Sequence, residues 1–180
     1  AEAKRIIGKT ANLEFRLESL SNSGEKFQFR DPRGQGPDAR LENKAVITGE
    51  NVTDARASYD ENGRPQVNIT LDATGGWQMG YATRDNIGRR LGVLFIEYKT
   101  KLEKSIDENG ELVITPVPFV EKNIISLATV QAQLGKSFRI TGLDGQRESS
   151  ELALLLRAGA LAAPMYIVEE RTIGPSLGAD

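Results

Sequence analysis

The stretch Val93-Leu-Phe-Ile-Glu-Tyr-Lys99 decides how this chain is built. Four apolar residues in a row leave no polar face, which suits a central strand packed on both sides. Downstream, Asp107-Glu-Asn-Gly110 places an Asn-Gly turn signal between 101–106 and 112–120, so a hairpin is expected there. Pro116 and Pro118 cannot donate to a ladder, which puts the returning strand at a sheet edge. Upstream, Gly75-Gly76 reads as a break, and 77–91 reads as a helix with Met79, Ala82, Ile87 and Leu91 on one stripe. Before it, the same tetrapeptide, Asp60-Glu-Asn-Gly63, separates Val52–Tyr59 from Pro65–Leu71. Val67, Ile69 and Leu71 share one face of the second of these strands. Ala45–Thr48 is a further short apolar run.

Outward from this β-rich middle the pattern changes. Ala11–Leu17 alternates Leu13, Phe15 and Leu17 with polar residues, as a half-buried strand does. Ahead of it, 1–7 reads as the end of a helix closed by Gly8, as expected of a segment taken from a longer chain. The stretch 19–38 has loop composition, with Phe27 and Phe29 available to pin it down or form a short edge strand. Beyond 137, Phe138–Thr141 reads as a strand, and 148–161 as an amphipathic helix through Leu152, Leu155, Leu156 and Leu161, stopped by Pro164. A β-branched strand is expected at 165–173. The order αβ, β-rich middle with one helix, then βαβ is an α+β pattern with the middle inserted between two halves of one small layer.

Composition limits the chemistry. The 180 residues contain no cysteine and no histidine, so disulfides, Cys/His zinc sites and imidazole or thiol catalysis are excluded. The 23 basic and 25 acidic residues give a net charge of −2, which provides no global attraction to nucleic acid. No apolar run reaches the roughly 18 residues of a membrane span.

The motif-like fragments mostly read as structure. Gly8-Lys-Thr10 and Gly135-Lys-Ser137 resemble phosphate loops, but the earlier glycine is Ala3 in one and Val130 in the other. The two Asp-Glu-Asn-Gly turns lack the spacing of a calcium loop. Glycines at a helix start can present amides to an anion, yet no basic residue follows Gly75-Gly76 in the first turn. Arg84, Asp85, Arg89 and Arg90 form a charged group on the predicted helix, read as a solvated face or a patch for an extended peptide. Glu169 and Glu170 are adjacent in a strand and point to opposite faces. No cofactor, metal or catalytic residue is assigned.

Several blocks, in order, resemble the SecD family of protein-export membrane proteins. They are Thr10-Ala-Asn-Leu-Glu-Phe-Arg16, Pro65-Gln-Val-Asn-Ile-Thr-Leu71, Asn86-Ile-Gly-Arg-Arg90 with Leu94-Phe-Ile-Glu-Tyr98, Ser137-Phe-Arg-Ile-Thr-Gly142 and Leu154 to Pro164 running on to Ile167–Gly178. The resemblance covers nearly the whole chain and implies the first periplasmic region of such a protein. It implies a ferredoxin-like base, incomplete here and missing its first strand, at 1–20 and 137–180. A flexible loop follows at 21–39, and an inserted β-rich head with one main helix at 40–136. An exposed strand edge or frayed start is the expected result of the missing strand.

The same resemblance implies a non-enzymatic role on the periplasmic face of the inner membrane. There the region would hold an emerging, unfolded preprotein during export driven by the proton-motive force. Its partners would be SecF and the SecYEG channel, reached through the full-length protein, with membrane contact only through helices outside this chain. Candidate polypeptide-binding residues are Tyr59, Trp77, Tyr81, Val117 and Phe119. Candidate hinge residues are Thr141, Gly142 and Gly145. The alternatives are a periplasmic carboxylate-dependent hydrolase, which needs two converging acidic groups, and a purely structural assembly domain.

Overall fold

The structure is a computed structural model that describes residues 11–30, 37–143 and 145–161. The elements expected at 1–7 and 165–173, Gly8-Lys-Thr10 and Glu169-Glu170 lie outside them. Nine strands and two α-helices are described: β1 Ala11–Leu17, β2 Glu25–Gln28, β3 Asp38–Leu41, β4 Ile47–Thr48, β5 Val52–Tyr59, β6 Pro65–Leu71, α1 Ala73–Arg84, β7 Arg90–Ile106, β8 Leu112–Thr129, β9 Ser137–Ile140 and α2 Gln146–Leu161. A 3₁₀ turn, Gly49–Asn51, links β4 to β5. All strand pairs are antiparallel and form sheets ordered β4-β1-β7-β8, β5-β6-β9 and β2-β3. The fold is α+β, as the order of signals predicts.

β7 earns its central place through alternation. Leu91, Val93 and Phe95 face the main core, with Leu13, Phe15, Ile47, Ile69, Leu71 and Met79. Leu94 and Ile96 face the opposite side, where Phe27, Leu41 and Ile124 form a second cluster. A bulge at Ile125 lets β8 keep both faces in step. Ile124 then accepts a hydrogen bond from the Arg30 amide at 2.9 Å.

Both Asp-Glu-Asn-Gly tetrapeptides form the same turn. Asp60 Oδ1 accepts from the amides of Asn62 and Arg64, each at 2.8 Å, and Asp107 Oδ1 accepts from those of Asn109 and Glu111, each at 2.9 Å. Gly63 and Gly110 close the turns with φ of 77° and 78°, a left-handed conformation that side-chain-bearing residues resist.

Two expectations need correction. The helix predicted at 77–91 runs instead from Ala73 to Arg84, capped by the Asp72 carboxylate, which accepts from the Gly75 amide at 2.7 Å. Gly75 and Gly76 are therefore helical. A Cβ on Gly75 would sit 2.6 Å from Asn51 Cβ, and one on Gly76 would sit 3.0 Å from Lys136, so close packing requires them. The cap also occupies the amide that an anion would have used. Second, part of the expected loop at 21–39 is structured: β2 pairs with β3, and Phe27 is buried.

Across the expected division between 1–20 with 137–180 and 40–136, the described residues pack together. β1 lies between β4 and β7, β9 pairs with β6, and α2 seats Leu152, Ala153 and Leu156 in the main core. The apolar face of β1 can be buried only by joining that sheet.

The predicted charged group also divides. Arg84 ends α1, whereas Arg90 begins β7 and donates from Nε to Glu18 Oε1 at 2.9 Å. Arg89 donates to the Glu18 carbonyl and, at 2.9 Å, to Glu42. The hydrogen bond from Arg90 holds the Glu18 carboxyl below its ordinary value of 4.5. A carboxyl lowered on folding stabilises the fold above its unfolded value, and that stabilisation is lost as pH falls through the folded one. Urea midpoints of the native chain and of Arg90→Gln should therefore converge as pH falls below about 4.5, the value from which Glu18 is lowered. A constant difference down to strongly acidic pH would refute the linkage.

Candidate functional site

Among the described residues, β7 and β8 run on beyond Glu97 as a two-stranded ribbon closed by the turn at 107–110. Eight residue steps from Tyr98 to Ile106 span about 27 Å at ~3.4 Å per residue. Antiparallel partners lie on one face. One face therefore carries Thr100 with Pro118, Leu102 with Pro116, Lys104 with Ile114 and Ile106 with Leu112. The other carries Lys99 with Phe119, Lys101 with Val117, Glu103 with Thr115 and Ser105 with Val113. The first face is apolar and open to solvent: Leu102 is 67%, Ile106 65%, Leu112 59% and Ile114 50% exposed. A two-stranded ribbon has little stability of its own in water, so an apolar face on one calls for a use.

Of the predicted binding residues, Val117 and Phe119 lie on the mixed face, both half-buried, with Lys101 Nζ over the Phe119 ring at 5.8 Å. Trp77 and Tyr81 meet on the exposed side of α1, their rings stacked 5.5 Å apart and 3° from parallel, with Arg84 over Tyr81 at 4.9 Å. Gly76, Gly80, Tyr81, Gln133 and Leu134 border an open groove of about 430 Å³ beside this plate. Tyr59 stands apart, exposed at the end of β5 opposite Pro65. The apolar face through Leu102, Ile106, Leu112 and Ile114 was not among the predicted residues. Leu102 and Ile106, of one parity and facing Leu112 and Ile114 across the turn, were the available signal.

Thr141, Gly142 and Gly145 link β9 to α2. Gly142 has a φ of 77°, and a Cβ at Gly142 or Gly145 would meet nothing within 4 Å. Four glutamates, Glu97, Glu121, Glu148 and Glu151, line a separate open cleft with Arg30 and Lys99. Lys99 Nζ lies 2.7 Å from Glu121 and 3.9 Å from Glu97, so these two carboxylates act as ion-pair partners of one lysine. Among the described residues no helix is long and apolar enough to cross a membrane.

Residues 25–163 match the family model described as the SecDF P1 head subdomain. The chain belongs to the SecD family. Protein translocase subunit SecD of Pseudomonas aeruginosa is 62% identical across 100% of this chain, and SecD of Escherichia coli K12 is 44% identical across 99% of it. The chain spans 30% and 29% of those two SecD proteins. A structure of SecDF, described as a membrane component that enhances protein export, aligns with 96% of this chain and 73% of its own at 25% identity and a TM-score of 0.52. A Thermus SecDF, described as a translocon-associated membrane protein, aligns with 89% of this chain and 21% of its own at 27% identity and a TM-score of 0.54. The SecD head match runs from β2 through α2, across both sides of the expected seam at 137.

Proposed function

We propose that this region stands on the periplasmic side of the inner membrane and captures unfolded preprotein as it emerges from the Sec channel. In this reading the full-length protein couples capture to the proton-motive force, together with SecF and SecYEG, and this region performs no catalysis. The observation that carries the proposal is the apolar ribbon, a surface no neighbouring strand covers among the described residues. Membership in a family named for protein translocation supports the same reading.

Capture through side chains is favoured over strand addition on β8. A proline within a ladder occupies a position whose nitrogen faces outward. Pro116 and Pro118 therefore remove two donors from the outer edge of β8, which weakens any ladder a guest strand could form there. The Trp77–Tyr81 plate, Tyr59, Val117 and Phe119 supplement the ribbon as proposed contacts. Thr141, Gly142 and Gly145 are the proposed swivel between head and base, and the seat of α2 on β5 of the head is then the closed position of that joint.

Photo-crosslinkers placed singly at Leu102, Trp77, Phe119 and Leu154 in the full-length protein test the reading against a stalled preprotein. Adducts are expected at the first three. Leu154, exposed on α2, is the control. Labelling at Leu154 alone, or none, would overturn capture by the head.

A further inference from the structure

We propose that the apolar ribbon face binds extended apolar segments of polypeptide that carry basic residues at their flank. This rests on the capture reading above and adds a site and a preference to it. The face presents Leu102, Ile106, Leu112 and Ile114, with Lys104 as its single charge. Toward the body of the molecule the same side of β7 continues into Tyr98, Ile96 and Leu94, where Phe27 of the extended strand β2 is already packed on it. The covered half thus shows how the open half can be filled: an apolar side chain from an extended backbone lies across the sheet.

Charge selects among such segments. At its tip the ribbon carries Asp107, Glu108 and Glu111, against one lysine, Lys104, on the apolar face. Glu108 and Glu111 are exposed at the tip, next to Ile106 and Leu112. A segment seated on the four apolar residues therefore places its flank beside carboxylates. Basic flanks are attracted and acidic flanks repelled, with salt weakening both effects. The same acidic tip disfavours an anionic lipid surface. Proline on β8 and Lys99, Lys101 and Lys104 on β7 disfavour strand addition at either edge of the ribbon.

The test uses fluorescent peptides with one apolar centre and Lys-Lys, Ser-Ser or Glu-Glu flanks, titrated by anisotropy against the whole chain. The Lys-flanked peptide should bind tightest and the Glu-flanked one about tenfold more weakly at low salt, the summed effect of several exposed charge pairs. That gap should close at high salt. Ile106→Ser with Ile114→Ser should weaken all three peptides by about tenfold, as loss of central apolar contacts does. Both residues are exposed, so unchanged circular dichroism is expected. Glu108→Lys with Glu111→Lys should reverse the order of the flanks.

Unchanged binding by the serine double variant overturns this site and leaves the capture reading intact. So does loss of binding through Trp77→Ala alone. A flank order indifferent to the lysine variant removes the preference. Concentration-dependent dimerisation abolished by Ile106→Ser would assign the face to a second copy, and binding to phosphatidylglycerol vesicles would assign it to lipid; either overturns the proposal. If none of the peptides binds the native chain, the capture reading itself falls.

Discussion

Replacing Phe15 by alanine should lower the free energy of unfolding by about 3–5 kcal/mol, the usual range for a buried phenylalanine. Phe15 has no exposed surface, pairs with Ile47 on one side and Val93 on the other, and meets the Phe138 ring edge-on at 6.2 Å. It thus joins the four-stranded sheet to the strand β9 of the other. Domains of this size are stable by about 5–15 kcal/mol in total, so the loss is a large fraction of what there is. Urea denaturation should give one transition, moved to a lower midpoint. A curve with a limb unmoved by the mutation would mean that 40–136 unfolds independently of β1, contrary to the shared sheet.

Gly159→Val should destabilise by about 1–3 kcal/mol, the range for overpacking a filled core. A Cβ at 159 would lie 2.5 Å from Leu13 Cγ and 3.1 Å from both of its methyls. Leu13 is 1% exposed and has nowhere to turn. Helix propensity alone would favour replacing glycine by about 1 kcal/mol or less, so packing decides the sign. Leu13→Ala should be destabilising alone, and its combination with Gly159→Val should cost less than the sum, since the cavity of one admits the methyls of the other. Additive effects in thermal or urea melts would show that α2 does not rest on β1 as described.

What could be read along the chain was whatever local pattern alone specifies. β1, β5 and β6 match their period-two runs residue for residue, and both turns follow from a tetrapeptide whose aspartate binds its own backbone. The helix α1 was misplaced because Gly75-Gly76 has two meanings. Their packing against Asn51 and Lys136 is a tertiary fact with no local trace. Leu91 completes an apparent helical stripe but belongs to β7, and Ile87, on the same stripe, is 58% exposed. The pairing of β9 with β6 joins residues far apart in sequence and leaves no local trace. The hairpin at the candidate site was legible, and its openness was not. Whether Leu102 and Ile106 are covered depends on what packs on that face of the ribbon, which no local pattern specifies.

The prolines of β8 also bear on time. A guest held by a backbone ladder leaves only when several hydrogen bonds open together, whereas side chains resting on a face detach one by one. With Pro116 and Pro118 removing donors at that edge, dwell times on the ribbon should be short and should depend on the charge at a segment's flank more than on which apolar side chains it carries. Under the proposed capture, an unfolded chain would be braked repeatedly rather than stopped once, and the surface would be vacant again for the next stretch.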